Sequence, residues 1–300
     1  MKTALEKAVE KMEKGMERDL AYSYAATLKE VRRQVGEVYA KHAVGGALEY
    51  SELAKYDRLR KLEKSLAAEL TKLTGKTARI TKTGLVEIFE DSYYRTAFEA
   101  EKTVQAKLAF RKLNPDAVKM AIQNPISGLT LNDRLVKNRA DIVINIKQTL
   151  TQGLIKGSSI DEMSRTLKGT LEGDLVKAKR VVQTEAHRVK EQAREEAIEH
   201  AEEQGVVFKK IWVATLDDVT RDTHAELDGQ EADEEGYFHF NGMSAKYPGG
   251  WGDPAMDINC RCTVRVEVMG FEPKVRRVRG EGVVPYKDYK QWHSKRIANA

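Results

Sequence analysis

Between Asp217 and Cys262 the chain gathers the side chains best able to do chemistry: Asp217, Thr220, Arg221 and His224, then Gly229, and finally Asn259, Cys260, Arg261 and Cys262. Two thiolates and one imidazole are three zinc ligands, so Cys260, Cys262 and His224 form a candidate structural zinc site, with His239 or an aspartate as fourth ligand. Two other readings stand beside it: a small buried thiol pair packed under a loop, and a nucleophilic Cys-His dyad in which Asp217 orients His224. The spacing predicts a short helix over about 218–227, on which Thr220, Arg221 and His224 share one side with Asp217 at the entry.

The surrounding residues narrow the chemistry. Nine acids lie between Asp217 and Glu235 against the single Arg221, without the alternation of a calcium-binding loop, which describes a solvated acidic face. Arg221 is expected to pair with one of those carboxylates. The run Gly249-Gly250-Trp251-Gly252 lacks the Lys-Ser/Thr ending of a phosphate-binding loop. His42, His187, His200 and His293 are expected at the surface. Trp212 belongs to the core, whereas Trp251 and Trp292 read as anchors of contacts.

These residues need elements to hold them. Val206–Thr215 is rich in β-branched and aromatic residues, and 259–268 alternates, so two antiparallel strands flank a Gly-rich stretch expected to be irregular. If the strands pair, Cys260 and Cys262 point to one face. Upstream, apolar steps of three and four predict a helix to about Ala43, a second from Ala47 to Thr74 ended by Gly75, and a third from Leu85 to Leu113. Further helices are expected over 131–156, from a Ser159/Glu162 capping box, and from a cap at Asp174 to Glu203. The fold class is α+β and mostly helical: long N-terminal helices, then a compact helical domain with a small antiparallel β-sheet. The chain divides into a helical docking arm (1–115), a domain (116–270) and a basic tail (271–300).

Composition sets the remaining bounds. At 300 residues and 33.8 kDa the chain is long enough for one large core or two modest ones, and two cysteines one residue apart provide no disulfide framework, as expected of a reducing cytoplasm. No apolar run is long enough to span a bilayer, and Met1 to Glu13 lacks the pattern of a secretory signal, so no membrane is predicted as a partner. The net charge of +5 equals that of the tail, eight basic residues against three acids, leaving 43 of each sign before it. Lys274, Arg276, Arg277, Arg279 and Trp292 are therefore candidates for contact with DNA or a partner.

The string from Trp212 through Asp217, Thr220, Arg221, His224 and Asp228 to Gly229, followed by Pro248, Asp253-Pro254 and Asn259-Cys260-Arg261-Cys262, resembles the signature of the phage Mu F-like minor head proteins, also called phage head morphogenesis proteins. Thr184, Glu185 and Arg188 resemble that family's Arg-Thr-Glu segment, with Gln183 in place of the first arginine. The resemblance implies a low-copy structural protein of a tailed-phage capsid rather than an enzyme. It implies association with the portal protein, with the major capsid or scaffolding protein as further partners. It also implies contact with packaged DNA and delivery with it, and residence in the host cytoplasm during assembly and then in the virion near the portal vertex. The different-class alternative is an enzyme acting on nucleic acid or protein through His224, Arg221 and Cys260.

Overall fold

The computed structural model describes residues 3–269 except 47, 49, 55, 56, 111 and 127. The basic tail, including Lys274, Arg276, Arg277, Arg279, Trp292 and His293, lies outside the described residues. The elements in chain order are α1 (Ala4–His42), α2 (Tyr50–Ala54), α3 (Arg58–Val104), α4 (Pro115–Gln123), α5 (Leu131–Ile155), α6 (Ile160–Glu202), β1 (Phe208–Val213), α7 (Asp222–Glu226), β2 (Phe238–Phe240), β3 (Met243–Ala245), α8 (Pro254–Asp257) and β4 (Thr263–Val268). The fold is mostly helical α+β, as the sequence predicts. Among the described residues no helix is long and apolar enough to cross a membrane.

Two compact units divide the described residues, one formed by Glu13–Thr83 with Leu129–Val182, the other by 3–12, Gly84–Gly128 and 183–269. They cut across the 1–115 and 116–270 segments read from composition.

The first unit is a helical bundle. Its core comes from stripes spaced three, four or seven apart: Met16, Leu20, Tyr24, Val31, Val35 and Tyr39 on α1; Leu62, Leu66, Leu70 and Leu73 on α3; Leu135, Ile142, Ile146 and Leu150 on α5; Met163, Leu167 and Leu171 on α6. Polar ties fix the pairings. The Tyr24 hydroxyl donates to Asp174 Oδ2 at 2.5 Å and the Tyr39 hydroxyl to the Ser158 carbonyl at 2.8 Å. Burial, then the Asp174 charge, holds the Tyr24 hydroxyl above the usual tyrosine range, so it stays a donor.

Three expected boundaries give way here. Helix α3 runs unbroken through Gly75, because the about 1 kcal/mol that a mid-helix glycine costs is small beside the burial of Leu70 and Leu73 on one side and Leu85, Ile88 and Phe89 on the other. It ends at Val104 instead of Leu113, where Gln105 turns to φ 49. Asp174 caps nothing; α6 is one helix from the Ser159/Glu162 capping box to Glu202, and Asp174 is the acceptor for Tyr24 in its interior.

In the second unit β1 and β4 pair antiparallel, with Trp212 opposite Val264 and Lys210 opposite Val266. The other edge of β1 is covered by backbone bonds from the Trp212 amide to the Gln230 carbonyl and from the Gly229 and Ala232 amides to the Trp212 and Lys210 carbonyls. The stretch expected to be irregular contains the β2–β3 hairpin, turned at Asn241 (φ 46) and Gly242 (φ 78), and α8, capped by Asp253. These small elements surround a core of Trp212, Leu227, Phe238, Ala245, Trp251, Met256, Cys260, Cys262 and Val264. Trp251 is thus a core residue and not an exposed anchor, its ring centroid 5.7 Å from that of Trp212. It is brought in where Gly249, at φ +87, passes so close to α6 that a β-carbon would lie 3.2 Å from the Arg188 Cα. The histidines of α6 are half-buried and not on a polar face. His200 Nδ1 sits 2.6 Å from the Tyr93 hydroxyl, and burial, then Lys190, lowers His187 to about 3.

Candidate functional site

The site is assembled by the loop after β1, the short α7 and the segment leading into β4. The loop is tied to itself: the Thr220 hydroxyl donates to the Thr215 carbonyl, the Asp217 amide to Thr220 Oγ1 at 3.0 Å, and the Val219 amide to Asp217 Oδ1 at 3.2 Å. These side-chain bonds compete with helical ones, so α7 starts at Asp222 rather than 218 and Thr220 lies outside it. Arg221 occupies the position before its first residue. Its guanidinium donates to the Ala255 carbonyl at 2.5 Å and the Met256 carbonyl at 3.5 Å, not to a neighbouring carboxylate, and so ties the loop to α8. The carboxylate partner belongs to Arg261, which grips both oxygens of Asp217, with Nη2 2.7 Å from Oδ1. That fork, against a smaller desolvation, holds the Asp217 carboxyl well below the usual range.

Gly229, at φ +80, turns the chain back onto β1, and the Asp228 carboxylate accepts from the Ala214 amide at 2.8 Å. Asn259, at φ 55, makes the corresponding turn before the cysteines and its amide donates to Thr184 Oγ1 at 3.3 Å. Strand β4 starts only at Thr263, so Cys260 and Cys262 lie in the segment ahead of it and not within a strand beginning at Asn259.

His224, 3% exposed, meets both thiols: its Nδ1 is 3.1 Å from Cys262 Sγ and 3.8 Å from Cys260 Sγ. The three ligand atoms lie within 4.8 Å of one another. Zn–S and Zn–N bonds of the usual lengths give a tetrahedral edge of about 3.5 Å, between the two observed separations, so the donor set fits zinc. The thiols are unequal. Bonding from Cys260, then His224, lowers the Cys262 thiol against its burial, while the same contact and burial push Cys260 up. The deprotonated thiol is the form a metal takes. His239 is elsewhere engaged, with its Nε2 2.6 Å from Asp233 Oδ2 on the exposed side of the loop, and is not part of the cluster.

Buried charges on α6 form a second group that spacing did not single out. Arg188, 1% exposed, donates to Glu185 Oε2 at 2.9 Å and to the carbonyls of Ala121 and Ile122 at 2.9 and 3.1 Å, closing the end of α4. Arg194 donates to Glu191 at 2.7 Å and to the Val264 carbonyl at 2.8 Å, and the Thr263 hydroxyl donates to Glu191 at 2.9 Å. Lys210 reaches Glu195 at 2.7 Å. Thr184, Glu185 and Arg188 carried a signal in their resemblance to the family's segment; Glu191, Arg194 and Glu195 looked like any solvated helix face.

The loops beside the small sheet that carry this Asp-Arg-His-Cys-x-Cys cluster lie within the stretch that matches a family of phage proteins. The sequence model of the family described as Phage Mu protein F like protein matches residues 144–265. The minor head protein of Bacillus phage SPP1 is 30% identical over 292 residues, which is 94% of this chain and 93% of that one. An NAD(+)–arginine ADP-ribosyltransferase of Enterococcus faecalis is also 30% identical, over 91% of this chain, but the chain spans only 56% of its length. No solved structure matches. The chain belongs to the phage Mu F-like minor head protein family, and its role is that of a virion structural protein in head morphogenesis.

Proposed function

We propose that the protein sits inside the head at the portal vertex, is recruited there in the host cytoplasm during assembly by the portal protein with the major capsid or scaffolding protein alongside, contacts the packaged DNA and leaves with it. Similarity to a minor head protein along nearly the whole of both chains carries this reading. Quantitative mass spectrometry of purified particles tests it: a few copies per portal ring is the expected count. Absence from particles, or a count equal to the major capsid subunit, would overturn it.

The DNA contact has support from charge. Positions 1–270 are neutral as a whole, yet the unit formed by Glu13–Thr83 and Leu129–Val182 holds 25 Lys or Arg against 16 Asp or Glu, net +9. On its α3 the exposed charged side chains from Arg60 to Arg79 are all basic: Arg60, Lys61, Lys64, Lys72, Lys76 and Arg79. Nineteen steps of 1.5 Å make this face about 28 Å long, a length that suits a run of phosphates. Replacing Arg60, Lys64, Lys76 and Arg79 together by Gln is expected to weaken duplex binding and lower the slope of log K against log salt by about 3–4, with an unchanged circular dichroism spectrum. An unchanged slope in this variant, set against a loss on deleting 271–300, would assign DNA to the tail and its Lys274, Arg276, Arg277, Arg279 and Trp292 instead.

The zinc reading belongs to the same proposal, with Cys260, Cys262 and His224 holding the loops of the small sheet together. Elemental analysis should give about one zinc per chain, lost in Cys262→Ser. As for catalysis, the chain spans only 56% of the relative named for a transferase activity, so that activity is not carried over to this chain. Incubated with NAD+ and an arginine acceptor, this chain is expected to release no nicotinamide; release above a heat-treated control would restore the enzyme alternative. His224→Ala and Cys260→Ser sharpen the same distinction, since a structural cluster predicts lost thermal stability and a catalytic one a folded, inactive protein.

A further inference from the structure

Cys260, Cys262 and His224 supply three ligand atoms, and among the described residues no fourth His, Cys or carboxylate joins them within the same 4.8 Å. The aspartate best placed in sequence, Asp217, has both oxygens committed to Arg261. Closed structural zinc sites have four protein ligands, whereas sites with three keep one position for an exchangeable ligand. Here the cluster is not sealed. A small half-open pocket of about 20 Å³ is lined by His224 and Cys262 together with Thr215, Val219, Thr220, Arg221, Asn259 and Arg261. Two ligand-bearing residues thus share a wall with two guanidiniums, of which Arg261 is paired with Asp217 and Arg221 with carbonyls alone.

Resting on the zinc reading above, we infer that this metal site has an open fourth position facing the pocket, and that the position takes an oxyanion, a phosphate or carboxylate oxygen, favoured by Arg221. The charge count agrees. A zinc ion with two thiolates and a neutral imidazole is neutral and Asp217 balances Arg261, so the guanidinium of Arg221, which meets only carbonyls, supplies the net positive charge that favours an anion over a neutral donor. The carbonyls of Ala255 and Met256 and the carboxylate of Asp217 hold these guanidiniums at the rim before any ligand arrives, which spares part of the ordering cost.

The test loads the full chain with cobalt(II), whose visible bands report the ligand set. One cobalt per chain with sulfur charge-transfer bands, lost in Cys262→Ser, establishes the metal site. Adding inorganic phosphate or acetate is then expected to shift the d–d bands saturably, and Arg221→Gln, which frees no carboxylate, to weaken that titration at least tenfold while the sulfur charge-transfer bands persist. A response to phosphate alone identifies a phosphoryl ligand; a response to acetate alone identifies a carboxylate. Bound cobalt whose spectrum ignores both anions but changes in Asp217→Asn overturns the open site and leaves the zinc reading standing, with Asp217 as fourth ligand. A chain that binds no cobalt overturns both.

Discussion

Arg188→Ala is expected to destabilise the protein by about 3–5 kcal/mol, the range for removing one partner of a buried ion pair. The guanidinium is 1% exposed and does two jobs: it neutralises Glu185, itself fully buried, and it donates to the last carbonyls of α4, at Ala121 and Ile122. Alanine leaves a carboxylate and two carbonyls in a dry site, with a cavity where the side chain lay. The melting temperature should fall by roughly 6–20 °C. Arg188→Lys keeps the charge but loses the fork, so it should recover only part of the loss. A fall under 2 °C for alanine would mean that α4 is held by other contacts.

Stability is expected to peak near pH 5 and to decline toward pH 8. Burial pushes Glu195 up from 4.5 to about 7, against the pull of Lys210 2.7 Å away. An acid raised in the folded state binds more protons folded than unfolded, so its penalty is absent below about 4.5 and grows as pH rises toward 7. The shift corresponds to about 3 kcal/mol. Burial likewise pushes Asp257 and Glu196 up to about 6, with the same sign. Glu191 acts in the opposite sense, as does His187, whose lowering from 6.5 to about 3 costs stability as pH falls below 6.5. Lys190 and Arg194 overcome the burial of Glu191 and lower it to about 2, so its contribution is complete above 4.5 and is lost as pH falls toward 2. Thermal unfolding between pH 3 and 9 checks both arms, and Glu195→Gln should flatten the alkaline one. A melting temperature that rises from pH 5 to 8 would contradict the assignment of Glu195.

The helices and the strand pair were legible because burial periodicity is local: Leu62, Leu66, Leu70 and Leu73 repeat at helical spacing, and Val264 and Val266 alternate. Helix ends were less so. A glycine such as Gly75 reads as a stop in isolation and is overridden when both flanks have partners to pack against. The site divides in the same way. Residue types and spacing singled out Asp217, Arg221, His224, Cys260 and Cys262, but could not say who partners whom. Arg221 and Arg261 are interchangeable by charge, and only the loop path, turned by Thr220 and Asn259, gives Asp217 to the second.

The sequence by itself determined the fold class and, through the Asp-Arg-His-Cys-x-Cys string, the family. Tertiary structure decided what no local pattern contains. The neutral first 270 residues separate into a +9 bundle and an equally acidic remainder because each unit gathers segments far apart in the chain. It also turned Glu185, Arg188, Glu191 and Glu195 inward, since a charge on a helix is written identically whether its face meets water or a sheet, and only the packed partner sets its desolvation.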